Sequence, residues 1–429
     1  MTPGLGQELH RWIAELYPIG RSITGNGVRE TLGRLGRLLP LEVREVPTGT
    51  PVLDWTVPKE WNLRDAWIEN SRGERVVDVR RSNLHVVGYS RPVRARLGLA
   101  QLKEHLFSEP EHPDWIPYRT TYYADGWGFC LSHRQLESLP DGEYEVCIDA
   151  TLEPGSLTYG ECVLPGATAD EILLSAHVCH PALCNDNLSG VVVAAFLGRA
   201  LAARQRRYTY RLLFIPGTIG SITWLALNEA RVARIRHGLV LTCLGDAGRP
   251  TYKRSRRGNT EIDQAACHVL ASRDGGHEVL DFTPWGYDER QFCSPGFDLP
   301  VGCLMRTPHG RFPQYHTSAD DLDFVRPEAL EDSLEICTAI LDVLEHNHTY
   351  LNQSPKGEPQ LGRRGLYPTT GGRAQGRDEL ALLWVLNLSD GRHTLLDIAE
   401  RSRLPMDAVR RAADALVSCD LLREVAPGG

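Results

Sequence analysis

A regular alternation of strand-like and helix-like segments between about residues 155 and 347 constrains the fold more than any other feature of the chain. Short apolar runs typical of buried strands occur at 171–177, 210–217, 237–245 and 299–306. Helical runs separate them at 188–204, 221–235 and 259–273, and a long helical run closes the region. This alternation predicts an α/β core, in which a mostly parallel sheet lies between two layers of helices in a three-layer α/β/α arrangement.

The two segments before this core differ in their sequence pattern. Residues 1–40 have a helical pattern, so we assign them together with 155–350 to one core domain. Residues 41–154 contain short alternating runs separated by proline and glycine, with many tryptophans and tyrosines. That pattern predicts a β-rich inserted domain. The aromatic side chains are densest at 117–130, and this domain could form a lid, a substrate-selecting wall or a dimer surface.

The segment after the core divides into a linker and a small domain. Residues 351–377 are rich in glycine, proline and arginine and lack periodicity, which predicts a linker. Residues 378–429 contain three short helical patterns and predict a winged-helix-like domain. Thr394 followed by Asp397 resembles a helix N-cap. Acidic residues nearly balance the arginines of this domain, so we expect no nucleic-acid partner.

Composition narrows the class of protein further. The chain has 429 residues and a formal net charge of −8, and it contains no apolar run that approaches the roughly 18 residues of a membrane span. The first residues lack the pattern of a signal peptide. Eleven scattered cysteines without a CxxC pair indicate reduced thiols. We therefore expect a cytoplasmic protein with no membrane partner, which could form a homo-oligomer.

The segment HVCHPALCNDNLSG at 177–190 carries the first candidate chemistry. His177 ends a predicted strand, and Asp186 lies in a loop directly before a predicted helix. A neutral imidazole and a carboxylate are natural zinc ligands. A capped helix beside a structural histidine is the alternative interpretation of this segment.

Two further strand ends supply residues of the same kind. Asp246 follows the strand 237–245, where an acid often faces the ligand site of an α/β fold, although Asp-Ala-Gly is also a good turn. His316 follows an irregular loop and could equally be a surface or core histidine. Together with His177 and Asp186, these side chains would accommodate one zinc ion, or two ions bridged by Asp186.

The order of these residues resembles that of the co-catalytic zinc aminopeptidases of the leucyl-aminopeptidase type. The resemblance covers roughly residues 155–347 and implies an aminopeptidase-like catalytic domain. It implies that His177 and Asp246 hold one zinc ion, that Asp186 bridges, and that His316 holds the other ion. The chain resembles more closely a bacterial aminopeptidase-like branch with a β-rich insert and a C-terminal winged helix, through the motifs HVCHP at 177–181, NDNLSG at 185–190, TIGS at 218–221 and YHTSADD at 315–321.

Two positions depart from the peptidase pattern. Cys179 stands where the peptidases carry an acid that supports the first histidine. Gly217 stands where we would look for a pair of glutamates, one of which is the general base and the other a zinc ligand in that family. A general base typically contributes about 10²–10⁴ in rate, so its absence implies another group, another reaction or no reaction.

Several other side chains are candidates for the missing roles. His180 and Glu289 could act as the general base, and Arg290 could bind a substrate carboxylate through two hydrogen bonds. Tyr287 or Tyr315 could polarise a carbonyl group. A surface ion cluster is the alternative for the acidic and basic residues of this group.

We therefore expect a zinc-dependent hydrolase that uses metal-activated water on the peptide or amide bond of a small peptide or an amidated metabolite. The resemblance implies a substrate with a free α-amino group. The alternatives are a non-hydrolytic binding protein that keeps the scaffold, and a single-zinc acyl-transfer or cyclising enzyme.

Overall fold

The computed structural model describes residues 4–367 and 377–425. The chain divides into two compact units. The first comprises Met1–Thr260 and Gly276–Glu335, and the second comprises Glu261–Gly275 and Ile336–Gly429.

The strands of the first unit belong to one large sheet and three smaller ones. The large sheet contains β1 (Glu42–Pro47), β10 (Ser156–Leu164), β11 (Glu171–His177), β12 (Thr209–Ile215), β13 (Ile235–Leu241), β14 (Thr251–Lys253), β15 (Glu278–Leu280) and β16 (Val301–Met305). The smaller sheets contain β2 (Pro51–Val52), β3 (Trp55–Thr56), β4 (Glu60–Asn70), β5 (Arg75–Asp78), β6 (Val93–Gly98), β7 (Leu106–Phe107), β8 (Phe129–Cys130) and β9 (Glu143–Glu153).

The helices of the first unit are mostly short. They are α1 (Leu5–Leu16), α2 (Asn26–Leu35), α3 (Leu99–Lys103), α4 (His133–Glu137), α5 (Gly190–Ala202), α6 (Ile219–Asn228) and α8 (Glu289–Phe292), with 3-10 turns at Asn83–His85 and Glu229–Arg234. Helix α9 (Pro327–His346) runs from the first unit into the second.

The large sheet has eight strands in the order β1-β10-β12-β11-β13-β16-β14-β15. Its four central strands, β12, β11, β13 and β16, are parallel, whereas β1, β10 and β14 join by antiparallel pairing. All seven residues of β11 are buried, as expected for a parallel strand covered on both faces. The sheet is therefore mixed, with the predicted parallel arrangement at its centre. The carboxyl ends of β11 and β13 meet at one edge.

The inserted module is built on a four-stranded antiparallel sheet in the order β5-β4-β9-β6. Strand β1 lies within the predicted insert of 41–154, yet it pairs with β10 of the large sheet over its whole length. The core sheet therefore takes its edge strand from the start of the segment that we assigned to the insert.

The second unit combines a three-stranded sheet with helices. Its strands are β17 (Thr349–Asn352), β18 (Asp390–Thr394) and β19 (Leu422–Val425), and its helices are α7 (Glu261–Ala271), α10 (Arg377–Leu388), α11 (Leu395–Ser402) and α12 (Met406–Ser418), with a 3-10 turn at Leu361–Arg364. Thr394 and Asp397 form the predicted cap, since each side chain accepts a backbone N–H of the other residue. The predicted linker overlaps β17 at its start, and its residues 368–376 lie outside the described residues.

All eleven cysteines are free thiols in the structure. Within residues 4–367 and 377–425, no helix combines the length and the apolar character that a membrane span requires.

A buried ionic cluster ties three adjacent strands of the large sheet together. Arg211 of β12 is only 4% exposed and donates two hydrogen bonds to Glu171 of β11, at 2.7 and 2.9 Å. It also forms an ion pair with Glu161 of β10, which accepts a hydrogen bond from Trp224 at 3.1 Å. Arg44, whose Nε atom lies 3.7 Å from the other oxygen of Glu161, supplies a second positive charge, so two arginines balance the two buried carboxylates.

Replacing this arginine should therefore destabilise the protein strongly. We expect Arg211→Met to lower the free energy of unfolding by about 3–5 kcal/mol, because it leaves the buried carboxylate of Glu171 without the arginine that pairs with it. Chemical denaturation measures this loss. The control Arg236→Met removes an exposed ion pair with Asp170 and should cost less than about 1 kcal/mol. Equal losses in the two variants would contradict the argument.

Candidate metal centre

The structure brings His177 and Asp186 together at the end of β11. His177 is the last residue of that strand, and Asp186 lies in a short π-helical segment, Cys184–Ser189, directly before α5. The Nε2 atom of His177 lies 2.8 Å from Oδ1 of Asp186, and both side chains are fully buried.

Two further histidines converge on the other oxygen of Asp186. Nε2 of His316 lies 3.0 Å from Oδ2, and Nε2 of His180 lies 3.9 Å from the same atom. His177, His180 and Asp186 offer ligand atoms that all lie within 4.8 Å of one another. The sequence assigned His180 to proton transfer, whereas the structure places it beside the candidate metal ligands.

The charge state of this cluster suits a metal ion. Burial lowers the pKa of His177 and of His180, so both rings are neutral, the form that binds metal. Burial alone would raise the pKa of Asp186. The electrostatic effect of the nearby His180 ring and the hydrogen bonds from His177 and His316 outweigh burial and hold that pKa well below its usual value. The cluster therefore presents a carboxylate surrounded by imidazoles.

The NDNLSG motif fixes the loop that carries Asp186. Asn187 donates from Nδ2 to the carbonyl of Leu241 at 3.1 Å, and Ser189 accepts the backbone N–H of Leu244 at 2.8 Å. Position 190 must be glycine, because a Cβ there would lie 2.3 Å from both Oδ1 of Asn187 and the carbonyl oxygen of Leu241. The motif thus joins the start of α5 to the end of β13.

Asp320 supports the same loop and was not singled out from the sequence. Its two oxygens accept the backbone N–H groups of Asn185 at 2.6 Å and of Asp186 at 2.9 Å. Burial raises the pKa of Asp320 to about 8. Its position four residues after His316, in the YHTSADD motif, is the sequence feature that could have identified it as part of the site.

The structure does not bring Asp246 into this cluster. Its Oδ1 accepts hydrogen bonds from Gly248 N and Thr307 Oγ1, both at 2.6 Å, and its Oδ2 accepts from Asn185 Nδ2 at 3.0 Å and Thr307 N at 3.1 Å. Four donors thus surround a side chain that we had expected to bind zinc. Among the described residues, Asp246 belongs to neither of the two groups with metal-ligand spacing. Its observed role is to hold Asn185 against the turn that follows β13.

A second group with metal-ligand spacing contains Asp186, Cys243 and His309. From the sequence, Cys243 was one of eleven thiols expected to be reduced, and His309 was not singled out. Burial raises the pKa of Cys243 well above its usual value, so its sulfur is protonated. The position of Cys243, two residues after the end of β13, was the signal that could have identified it.

An aromatic ring fills the space beside Gly217. A Cβ at this position would lie 2.0 Å from Cε1 of Tyr287. The same ring stacks on His177 with a centroid distance of 3.5 Å and an interplanar angle of 16°. Its hydroxyl lies 3.4 Å from Nδ1 of His180. A tyrosine therefore occupies the place beside the strand end where a carboxylate was sought.

Glu289 holds the backbone of Tyr287 in place. Its Oε1 forms an ion pair with Lys253 at 2.7 Å, and its two oxygens accept the backbone N–H of Tyr287 at 3.2 and 3.1 Å. The side chain is fully buried and does not line the cleft described next. The structure thus places Glu289 as a positioning residue, in contrast to the general-base role expected from the sequence.

A cleft of about 440 Å³ opens over the cluster. His180, His316, Tyr287 and Arg290 line it, and the Nε atom of Arg290 is buried without a hydrogen-bond partner. Tyr315 is absent from the lining; its ring stacks on His316 with a centroid distance of 3.9 Å.

The aromatic segment of the insert forms one wall of this cleft. The lining residues from this segment are Tyr118, Arg119, Thr120, Tyr122 and Tyr123. The backbone N–H of Tyr118 donates to the carbonyl of His316 at 2.7 Å. His316 has a φ of +57°, a conformation that non-glycine residues seldom adopt and that surrounding contacts must hold. A lid, a substrate-selecting wall and a dimer surface were the roles suggested for the insert. This contact agrees with a wall beside the candidate site.

Comparisons with known proteins agree with this architecture. A model of the family described as "Domain of unknown function (DUF4910)" matches residues 10–347, and a winged helix-turn-helix model matches residues 348–424. A protein of Clostridium acetobutylicum, described as a putative polysaccharide biosynthesis protein with aminopeptidase-like domain, is 50% identical over 421 residues, which cover 98% of this chain and 97% of that protein.

Two solved structures are also similar to this chain. The crystal structure of a putative peptidase from Clostridium acetobutylicum matches with a TM-score of 0.94 and 49% identity, over 98% of this chain and 96% of that one. The zinc aminopeptidase BSAP from Bacillus subtilis matches with a TM-score of 0.58 and 13% identity, over 80% of this chain and 95% of that one. The second likeness shows the fold alone.

These matches confirm the predicted fold class and the predicted resemblance to zinc aminopeptidases. The chain has an α/β aminopeptidase-like core and a C-terminal winged-helix domain, and it belongs to the family described as Domain of unknown function (DUF4910).

Proposed function

We propose that this protein is a zinc-dependent hydrolase of peptide or amide bonds that acts on a small peptide or an amidated metabolite. The observation that carries the proposal is the convergence of three histidine nitrogens on the buried carboxylate of Asp186, at the base of a cleft. The zinc of the structurally similar Bacillus subtilis aminopeptidase supports the choice of metal.

The donor set fits one zinc ion better than two. His177, His180, Asp186 and His316 would hold it, since neutral imidazoles and a carboxylate are preferred zinc ligands. A second ion would need Cys243, whose thiol burial keeps protonated, and no carboxylate from Asp246 is directed at it. When bound, zinc supplies the Lewis acidity that strengthens water as a nucleophile near neutral pH and polarises a carbonyl oxygen.

The chain's own residues then position the substrate. The hydroxyl of Tyr287, adjacent to His180, donates a hydrogen bond to the carbonyl oxygen at the bond to be cleaved. Arg290 binds a carboxylate at the far end of the substrate, because its buried Nε has no partner within the protein. The tyrosines of the insert wall limit the access of bulk water and of long chains.

One observation favours a second candidate, a binding protein that retains the scaffold without hydrolysis. No carboxylate stands at Gly217, and Glu289 is held by Lys253 and the backbone of Tyr287. Such a protein would bind the same ligands without turning them over. A single-zinc acyl-transfer or cyclising enzyme is a third candidate, and the product would identify it, because no water is then incorporated.

We propose a cytoplasmic location, and no nucleic-acid partner for the winged helix, because acidic residues nearly balance its arginines. The capacity to form a homo-oligomer is likewise a proposal.

Metal content tests the proposed site directly. We expect about one zinc ion per chain in purified, zinc-loaded protein, and less than about a tenth of that in Asp186→Asn and His316→Ala. Elemental analysis beside far-ultraviolet circular dichroism measures binding and folding together. The control His133→Ala, in a helix outside the site, should retain the metal. A folded wild-type chain without metal would exclude the hydrolase.

Because Asp320 holds the loop that carries Asp186, its substitution should weaken zinc binding without abolishing it. Asp320→Asn should weaken zinc affinity about 10–100-fold, because one acceptor oxygen for the backbone of Asn185 or Asp186 is lost. A competition titration with a zinc chelator measures the change. Asp321→Asn, the neighbouring acid in the chain, is the matched control and should leave the affinity within about twofold. Similar affinities for the two variants would remove the proposed role of Asp320.

Substrate recognition by Arg290 predicts a difference between two substrate forms. We expect the wild type to hydrolyse short peptides with a free carboxyl terminus, with Arg290→Gln raising KM for them about 10–100-fold. The same peptides with an amidated carboxyl terminus should show no such dependence. Steady-state kinetics on matched peptide pairs measures both. Zinc binding without turnover of any peptide or amide would favour the binding protein, and an equal effect on both substrate forms would place Arg290 elsewhere in the mechanism.

A further inference from the structure

A second cavity of about 400 Å³ lies beside the metal cleft within the first unit. Three stretches form most of its lining, at 19–30, 61–64 and 79–88, so both the N-terminal segment and the insert contribute. Tyr118 lines this cavity and the metal cleft alike, and its ring is therefore a shared wall. None of the candidate metal ligands lines the second cavity.

Arg21 contributes an uncompensated positive charge to this cavity. The residue is only 3% exposed. Its Nε donates to the carbonyl of His180 at 2.9 Å and its Nη1 donates to the carbonyl of Leu16 at 2.7 Å, whereas its Nη2 has no hydrogen-bond partner. A guanidinium is charged at neutral pH. Within the described part of the chain, no carboxylate forms an ion pair with it.

Ser22, the next residue in the chain, adds a second unsatisfied group. It is 4% exposed, it lines the same cavity, and its hydroxyl has no hydrogen-bond partner. A buried polar group without a partner costs about 1–3 kcal/mol, and more when it is charged. Two adjacent residues with this property on one cavity wall indicate a site that is completed by a ligand.

The remaining charges of the lining do not neutralise Arg21. Arg64 and Arg80 also line the cavity, and each is paired with an acid of the insert, Asp149 and Asp65 respectively. The acidic lining residue, Glu30, is bound to an arginine of its own helix. The cavity therefore has an excess of positive charge, and a negatively charged ligand would offset the burial of the guanidinium.

We propose that this cavity binds a small anionic molecule through a carboxylate or phosphate group, which accepts hydrogen bonds from the guanidinium of Arg21 and the hydroxyl of Ser22. An oxyanion satisfies both donors and supplies the missing negative charge, whereas a water molecule would satisfy the donors alone. The hydrogen bond from Arg21 to the carbonyl of His180 connects this site to the loop of the metal centre. The inference is independent of hydrolysis.

Calorimetric titration of the folded protein with inorganic pyrophosphate and with succinate tests the site. We expect at least one of these probes to bind with a stoichiometry of one. Ser22→Ala should weaken that binding about tenfold, and Arg21→Gln about a hundredfold or more. The control Arg96→Gln removes an exposed arginine on β6, outside the cavity, and should bind as the wild type does. Ser22→Ala preserves the test if Arg21→Gln fails to fold.

Repeating the titration after chelation of zinc separates this site from the metal centre. Binding that persists in the chelated protein and falls in Ser22→Ala supports the proposal, whichever probe binds. Binding that disappears with the metal would place the anion at the metal centre and overturn the proposal. Absence of binding by both probes, or equal affinity in the wild type and Ser22→Ala, would also overturn it. None of these results bears on peptide hydrolysis.

Discussion

The buried carboxylate of Asp186 is the constraint around which the candidate site is organised. A carboxylate without solvent needs positive or hydrogen-bonding partners, and three imidazoles supply them from two separate loops. Asp320 and the side chains of the NDNLSG motif hold the backbone of the same loop, so the geometry does not rest on the histidines alone. This support is what a metal ion would require to find its ligands preorganised.

The side chains at the end of β12 differ from the pattern expected of a two-zinc peptidase. Tyr287 lies against Gly217 and stacks on His177, while the nearby acid Glu289 is neutralised by Lys253. An aromatic hydroxyl lies beside the candidate metal ligands, where that pattern has a carboxylate. Under the proposed function, this arrangement would suit one ion and polarisation of the substrate by a neutral donor.

The candidate site depends on segments far apart in the chain. Arg21 holds the carbonyl of His180, and Tyr118 holds the carbonyl of His316, so the N-terminal segment and the insert both fix loops that carry candidate ligands. The same two residues line the second cavity. A ligand there and a metal ion in the cleft would therefore contact one connected set of side chains, without sharing a donor atom.

The sequence by itself determined the alternating core, the strand that ends at His177 and the winged-helix end of the chain, because apolar periodicity and caps are local properties. It also indicated Asp186 and His316. Only the tertiary structure decided which side chains meet. Position after a strand does not fix the direction in which a carboxylate points. The sequence therefore grouped Asp246 with the candidate ligands, whereas in the structure its carboxylate accepts a hydrogen bond from Thr307. His309 and Tyr287 reach the site from loops without periodicity, and their contacts with residues far away in sequence arise from packing alone.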